Sequence, residues 1–141
     1  MHDSDMALVE RLFDAFNNRD TEEIAAVCSE EMEFFPPATA EAVGRKTAYV
    51  GPSGLYDYLI DVAEVWEELQ ITPSELERWG AQLLVLGRVY ARSREHGIRD
   101  MPAAWVWEVR DERFVRGVVF PDPEDAIARF GGDLAPGPLP R

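Results

Sequence analysis

The chain has 141 residues, a formal net charge of −13 and a hydrophobic fraction of 46%, which is ordinary for a globular protein. This length fits one domain whose core needs neither a disulfide nor a metal for stability. Because a strongly acidic chain repels phosphate backbones and anionic lipids, neither nucleic acid nor a membrane is an expected partner.

The sequence favours a cytoplasmic location. Its single cysteine, Cys28, cannot form an internal disulfide, and no basic and apolar leader precedes Ala7. No apolar run approaches the roughly 20 residues that span a membrane. Cys28 also follows Ile24 and Val27 on one helical face, which predicts a buried structural thiol and not a nucleophile.

Two helices are predicted at the start of the chain. Ser4 or Asp5 can cap the first helix, whose apolar residues recur at the spacing of three and four that one helical face requires. These residues are Leu8, Val9, Leu12, Phe13 and Phe16. Asp20, followed by Glu23 three positions later, predicts the N-cap of a second helix that runs to Cys28.

A short strand, a loop and a third helix are predicted next. Residues 32–35 favour a strand that stops at Pro36-Pro37, and residues 38–54 carry the glycines and proline typical of a loop. From Leu55 to about Leu69 the apolar residues share one helical face, and the acidic residues lie largely off it. Trp66 is predicted on the apolar face of this helix.

Residues 71–120 are predicted to form strands. Pro73 limits the strand at residues 71–79 to an edge of the sheet. Residues 81–120 then give three strands joined by turns, with no helical pattern between them. Because parallel strands need a crossover connection, this order indicates an antiparallel sheet with helices packed on one face, an α+β fold.

The chain is predicted to end in a helix and a tail. Asp122 as N-cap, Pro123 at the first helical position and two acidic residues in the first turn predict a helix over about residues 123–130. Residues 132–141 are rich in glycine and proline and lack an apolar pattern, so a mobile tail is expected. Residues 1–131 are predicted to form a single domain.

Six stretches of the sequence resemble a known family. LVERLFDAFNNRDTEEIAAVCSEEMEFF opens the chain and is followed by YVGPSGLYDYL, EVWEEL, VLGRVYARSREHG, WVWEVRDERFVR and VFPDPEDAIARFG. Together they resemble the bacterial SnoaL-like branch of the nuclear transport factor 2-like superfamily, which includes ketosteroid isomerases and polyketide cyclases. The resemblance implies a cystatin-like roll, in which a cone-shaped, curved antiparallel sheet has helices packed on its concave face. Superfamily members include isomerases, dehydratases, cyclases, epoxide hydrolases and inactive proteins, so the fold does not decide the reaction.

The resemblance does not carry over known catalytic residues. Ketosteroid isomerases use a tyrosine on the first helix, an aspartate base at the end of the first strand and a carboxylic acid on a late strand. The matching positions here are Leu12, Pro36 and Trp105, and none of these side chains can act as the base or as the acid. The aspartate that matters in epoxide hydrolases and cyclases corresponds to about Val119.

No metal or cofactor site is predicted. His2 lies at the N-terminus and His96 in a turn, and neither has the spacing of a metal ligand. The capping role of Asp122 accounts for that residue without catalysis. The sequence therefore implies no cofactor and no designated catalytic residue.

Alternation along the strands predicts which side chains line a pocket. The odd-numbered positions of residues 83–91 and 103–109 are small or apolar, and placing them under the helices puts two tryptophans inside. The predicted ligand-pocket residues are Leu12, Phe16, Phe34, Pro36, Tyr49, Leu59, Trp66, Val89, Trp105, Trp107 and Val119. The polar residues considered for ligand contact are Glu33, Arg45, Tyr49 and Tyr58.

Three functions remain open at this point. The preferred one is binding of a small, neutral, apolar or aromatic metabolite, because the pocket offers indole and aliphatic walls without a designated charge partner. The alternatives are an isomerase, dehydratase or polyketide cyclase with noncognate catalytic residues, and a non-catalytic association module whose cone the tryptophans fill. A homodimer is expected through an apolar outer sheet face formed by Leu84, Leu86, Tyr90, Val106, Val118 and Phe120.

Overall fold

The computed structural model describes residues 2–130, with side chains for residues 4–37 and 39–130, and the predicted tail lies outside them. Its helices are α1 (His2–Asn18), α2 (Thr21–Val27), α3 (Pro37–Ala42), α4 (Gly51–Val65) and α5 (Pro123–Arg129). Its strands are β1 (Cys28–Phe35), β2 (Tyr49–Val50), β3 (Glu68–Trp79), β4 (Gln82–Ser93), β5 (Gly97–Arg110) and β6 (Arg113–Phe120). None of the helices within residues 2–130 is both long enough and apolar enough to cross a bilayer.

The six strands form one curved, unclosed sheet in the order β2-β1-β6-β5-β4-β3, which confirms the α+β prediction. Neighbouring strands are antiparallel, as predicted, except that β1 and β6 run parallel. This one parallel pair joins strands that are far apart in the chain. Helices and the β3–β5 meander lie between them, and so long a connection permits a parallel pairing.

The two N-terminal helices are confirmed, with a correction at each outer boundary. The Asp20 side chain accepts a hydrogen bond from the Glu23 backbone N at 3.1 Å, so it caps α2 as predicted. Helix α1 begins at His2, and Asp5 lies inside it, where its Oδ1 accepts from Arg78 Nη1 at 2.6 Å. Cys28 is 1% exposed and starts β1, four residues before the predicted strand.

The predicted loop over residues 38–54 contains two short elements, α3 and β2. Strand β2 pairs with β1 through Val50 opposite Glu33 and Tyr49 opposite Phe34. Helix α4 then begins at Gly51, whose φ is 69°. A Cβ there would lie 2.6 Å from the Glu30 backbone oxygen, so only glycine fits this junction.

Helix α4 ends four residues before the predicted boundary near Leu69. Trp66 is its C-cap in an extended conformation, and the chain continues directly into β3, where Leu69 pairs with Ala91. The strand pairing therefore prevails over the helical spacing of these residues. Strand β3 is an edge strand with an irregular register between Pro73 and Glu75, which confirms the edge position predicted from the proline.

The inner face of the sheet carries the main core, as the alternation of the strands predicts. Leu83 lies opposite Trp107 and Val85 opposite Trp105, and all four are at most 2% exposed. Buried side chains from α1, α2 and α4 complete this cluster. The odd-numbered positions of β4 and β5 are therefore confirmed as the inner face.

The outer face of the sheet is not the open apolar patch that the sequence predicted. Four of its six residues are at most 5% exposed: Leu84, Val106, Val118 and Phe120. They pack in a second cluster with Ala126 of α5 and with Phe130. Leu86 and Tyr90 are partly exposed. Helix α5 thus covers apolar surface that was assigned to a dimer interface.

Candidate functional site

A partly open, apolar cavity of about 160 Å³ lies between the inner face of the sheet and the helices. The helices and the segments next to them contribute Phe16, Asn17, Arg19, Pro36, Pro37, Thr39, Tyr58, Leu59, Val62 and Trp66. The strands and the residue after β6 contribute Phe34, Leu69, Ile71, Val89, Ala91, Arg99, Met101, Ala103, Trp105, Trp107, Val119 and Pro121. The tryptophans therefore leave the interior of the cone unfilled.

Rows of cross-strand neighbours form the sheet side of the cavity. The outermost row is Leu69, Ala91 and Arg99, and the next row is Ile71, Val89 and Met101. Trp105 opposite Val119 lies deeper. Because side chains on one face recur every second residue, the cavity runs along the strands from the buried tryptophans toward the β4–β5 hairpin.

The deep end of the cavity is built from aromatic rings. Trp107 stacks on Phe34 with centroids 5.7 Å apart and an interplanar angle of 1°. Its benzo edge lies over Gly117, where a Cβ would be 2.2 Å from Cζ3. Trp107 Nε1 is buried and has no hydrogen-bond partner among the described residues. An unpaired buried donor costs about 1–3 kcal/mol, so the packing around this indole carries a local energetic cost.

Tyr58 is the ionisable phenol of the cavity wall. Its ring packs against Phe16 and Phe34, and the Thr39 side chain hydrogen-bonds to its hydroxyl. Burial raises the pKa of Tyr58 to about 12, against smaller opposing effects of the nearby Arg19 charge and of Thr39. The hydroxyl therefore keeps its proton at neutral pH and can donate it in a hydrogen bond.

Two arginines and an asparagine complete the polar part of the lining. Arg19, with φ of 56°, donates to the backbone oxygens of Phe16 and Leu69, which ties its guanidinium to the cavity edge. Arg99 lies over the ring of Trp66, with 5.8 Å from its Cζ to the centroid. Asn17 donates to Ile71 O at 2.8 Å and accepts from Ile71 N at 2.9 Å, so its amide holds α1 to β3.

Nine of the predicted pocket residues line the cavity: Phe16, Phe34, Pro36, Leu59, Trp66, Val89, Trp105, Trp107 and Val119. Two do not. Leu12 is fully buried within the main core cluster and does not reach the cavity.

Tyr49, the second exception, packs behind Tyr58 with centroids 5.3 Å apart. Its hydroxyl donates to Asp61 Oδ2 at 2.6 Å, and Arg45 lies over its ring. Burial, and then the bond to Asp61, raise the pKa of Tyr49. Of the other polar residues considered, Glu33 pairs with Arg116 and also lies outside the cavity.

The sequence reasoning missed the positive charges of the lining. Arg99 could have been predicted from the sequence, because it lies at an odd-numbered position of β5, like Trp105 and Trp107. Arg19 carried no such signal. The position of its side chain depends on the left-handed backbone conformation of Arg19 itself and on its hydrogen bond to Leu69 O of β3, fifty residues later in the chain.

The lining offers hydrogen-bond donors but no conventional base. Among the described residues that line the cavity, the ionisable ones are Tyr58, Arg19 and Arg99. Asp122 accepts from the Glu124 backbone N and caps α5. His96 is exposed, with its ring 5.4 Å from that of Trp66 at the mouth. Within the described part of the chain, no group of three or more potential metal ligands occurs.

Solved structures share this fold at low sequence identity. TerC, co-crystallised with polyporic acid, is 19% identical with a TM-score of 0.75 over 89% of this chain and 96% of its own. An NTF2-like protein of unknown function from Burkholderia pseudomallei K96243 is 19% identical with a TM-score of 0.74 over 92% and 98% of the two chains. An LEH-like epoxide hydrolase of M. tuberculosis is 14% identical with a TM-score of 0.65 over 89% and 87%. At these identities the likeness establishes the fold alone.

The sequence itself gives the family. A comparison with curated proteins finds no match. Residues 9–117 match the family model described as the SnoaL-like domain, and this range is well over half of the chain. The resemblance predicted from the six sequence stretches is thereby confirmed, and the chain belongs to the family of SnoaL-like domains with the nuclear transport factor 2-like fold.

Proposed function

We propose that this protein binds a small aromatic or apolar metabolite in the cavity beneath its helices. The observation that carries the proposal is a partly open, apolar space of about 160 Å³ between the sheet and the helices. An engineered apolar cavity of about 150 Å³ in another protein holds benzene, so this space suits a single ring with small substituents. Because the tryptophans leave this space unfilled, an association module with a filled cone is disfavoured.

The polar groups of the wall suit an oxygen on that ring. The Tyr58 hydroxyl of the lining is a donor at neutral pH, and a carbonyl or hydroxyl oxygen can accept from it. Buried donors reject a ligand that cannot pair with them, which makes this arrangement selective for an oxygenated ring over a hydrocarbon.

One of the structures that share this fold was crystallised with an organic acid. TerC was crystallised with polyporic acid, although that likeness concerns the fold. We also propose a cytoplasmic location, which the single, buried Cys28 supports.

Titration with 1-indanone, a ring bearing one carbonyl, tests the proposal. Ligand-observed saturation-transfer NMR should detect binding at millimolar concentration or tighter, and tryptophan fluorescence should change with it. Tyr58→Phe should weaken binding by up to about tenfold, because one neutral hydrogen bond is lost. Tyr56→Phe is the matched control, since this residue of the same helix is 55% exposed. Absence of binding by the wild type, or equal effects of the two substitutions, would contradict the proposal.

An enzymatic role is the second candidate, and the proton-bearing Tyr58 beside Arg19 favours it. A donor of this kind can stabilise negative charge that develops on a carbonyl oxygen, as isomerases, dehydratases and cyclases require. The described lining supplies no carboxylate or histidine as base, so such chemistry needs the substrate or water to remove the proton. Turnover of a bound ring compound, abolished in Tyr58→Phe, would favour this candidate over binding alone.

A further inference from the structure

The charged residues of the cavity lining have one sign only. The chain carries 27 acidic and 14 basic residues, yet the charged lining residues among those described are Arg19 and Arg99. The sequence-based expectation of a neutral ligand rested on a pocket without a charge partner, and that premise is wrong.

The two arginines lie at the same end of the cavity. Arg19 donates to the backbone oxygen of Leu69, which is paired with Ala91, and Ala91 is paired in turn with Arg99. Leu69 and Arg99 are thus two strand spacings apart, about 10 Å. A group that enters between the outer ends of the strands meets a positive charge on either side.

These cavity arginines differ from the arginines of the opposite sheet face. Arg88 pairs with Asp100 at 3.1 Å, and Arg92 pairs with Glu67 at 3.3 Å. Asp100 follows Arg99 directly in β5, but alternation directs its carboxylate to the outer face. Among the described residues, neither Arg19 nor Arg99 forms an ion pair. Arg88 and Arg92 are thus neutralised on the outer face, whereas the charges of the two cavity arginines have no carboxylate partner among the described residues.

We infer that the ligand is an anion, a ring compound whose carboxylate or acidic oxygen lies at the cavity mouth between Arg19 and Arg99 while its ring occupies the apolar interior. This inference rests on the proposed binding function and adds a charge to its ligand. An arginine fork matches two acceptor oxygens on one group, so a carboxylate fits better than a single neutral oxygen. Trp66, beneath Arg99, keeps that guanidinium at the mouth by a cation–π contact.

The long-range electrostatic field of the protein opposes the binding of an anion, so a measured preference for an anion is informative. A net charge of −13 attracts cations and repels anions at low salt. A preference for an anion over a cation of the same shape must therefore come from local positive charge. Three probes of matched shape serve this purpose: trans-cinnamate, trans-cinnamamide and protonated cinnamylamine.

Isothermal titration calorimetry of the full chain at low salt should rank cinnamate first, cinnamamide about tenfold weaker and cinnamylammonium weakest. Arg99→Gln should weaken cinnamate about tenfold and leave cinnamamide nearly unchanged. Arg110→Gln removes the same charge at the far, exposed end of β5 and should alter neither affinity.

The outcomes separate this inference from the proposed function. Equal affinities for the three probes, or tightest binding of the cation, would overturn the anionic ligand while leaving ring binding intact. An equal loss of cinnamate affinity in Arg110→Gln would also overturn it, because the effect would then be one of net charge. If no probe binds, the proposed function and this inference both fail.

Discussion

A glycine on β6 sets the position of Trp107, one of the three tryptophans in the cavity wall. Gly117 lies opposite Trp107, and the indole occupies the space that any Cβ at residue 117 would need. Phe34 stacks on the same indole and Phe13 meets its edge, so the ring has little room to retreat. The shape of the deep end therefore depends on one residue that contributes no side chain, a dependence that the composition of β6 does not reveal.

Gly117→Ala should destabilise the protein by about 1–3 kcal/mol, because the added methyl forces Trp107 off its position in a packed core. Urea unfolding followed by circular dichroism measures this loss. In a Trp107→Leu background the same substitution should cost much less, since the opposing ring is gone. Independent, additive effects of the two changes would contradict the described packing.

Burial of Cys28 and Tyr58 predicts a loss of stability at alkaline pH. Burial raises the pKa of the thiol from 9.0 to about 12 and that of the phenol from 10.0 to about 12. A pKa that is higher in the folded state gives full stability below the unfolded value. That stability is lost as the pH rises toward the folded value. Unfolding free energy should therefore fall between about pH 9 and pH 12.

Cys28→Ala provides the control for this pH dependence. It should reduce the slope of stability against pH in the range just above pH 9, where the unfolded thiol ionises first, whatever its effect at neutral pH. The native thiol should also resist labelling by a disulfide reagent until urea is added, because only the thiolate reacts. Rapid labelling of the folded protein would show that Cys28 is not buried.

At the scale of elements, the sequence predicts the helices and strands whose apolar residues recur periodically. It misses the short elements whose conformation depends on pairing or packing with other parts of the chain. Strands β4, β5 and β6 alternate clearly, so both their existence and their inner face follow from the pattern. Helix α3 has six residues, and β2 has two that are held by pairing with β1, so neither shows a period. The end of α4 was placed too late because Leu69 fits a helical stripe, whereas pairing with β4 decides its conformation.

The sequence predicts helix α5 but not its role as a cover for the outer face of the sheet. A substitution at Ala126 tests this role. This residue is fully buried against the outer sheet face, whereas Ala128 on the same helix is exposed. Ala126→Asp should detach α5, because an unpaired charge cannot stay in an apolar contact. The uncovered side chains of Leu84 and Val106 should then bind a hydrophobic dye and promote association.

Ala128→Asp adds the same charge to the same helix without touching the sheet. It should leave dye binding and association at the wild-type level. A similar response to both substitutions would indicate that α5 is weakened by charge alone and does not cover the sheet.

At the scale of the whole molecule, the chain as a whole is acidic, whereas the charged residues of the cavity lining are basic. Residues 1–80 carry 18 acidic and 5 basic residues, and residues 81–141 carry 9 of each, so the acidic excess lies in the helical half. The apolar walls of the cavity were predictable because alternation is local. Arg99 follows from the same alternation, but the second positive charge was not predictable, because Arg19 comes from the other half of the chain and reaches this end of the cavity through its contact with Leu69.

The homodimer stays a prediction, on a smaller surface than the sequence suggested. With α5 over most of the outer face, Leu86 and Tyr90 remain as its partly exposed apolar residues on β4. A second copy can pack on this remainder through a symmetric contact, since paired copies present the same patch to each other. A net charge of −13 on each copy opposes association, so the dimer should tighten as salt rises.

Sedimentation equilibrium at micromolar protein and at low and high salt measures this association. Leu86→Glu should weaken the dimer by tenfold or more, because it places a carboxylate in an apolar contact between two acidic molecules. Ile60→Glu is the matched control on α4, where the isoleucine is 45% exposed and Tyr56 lies one turn earlier. If the wild type is monomeric at both salt concentrations, the dimer is excluded. If Ile60→Glu is the change that dissociates it, the contact runs through α4. The outer sheet face would then be a covered structural surface, since α5 already buries its centre.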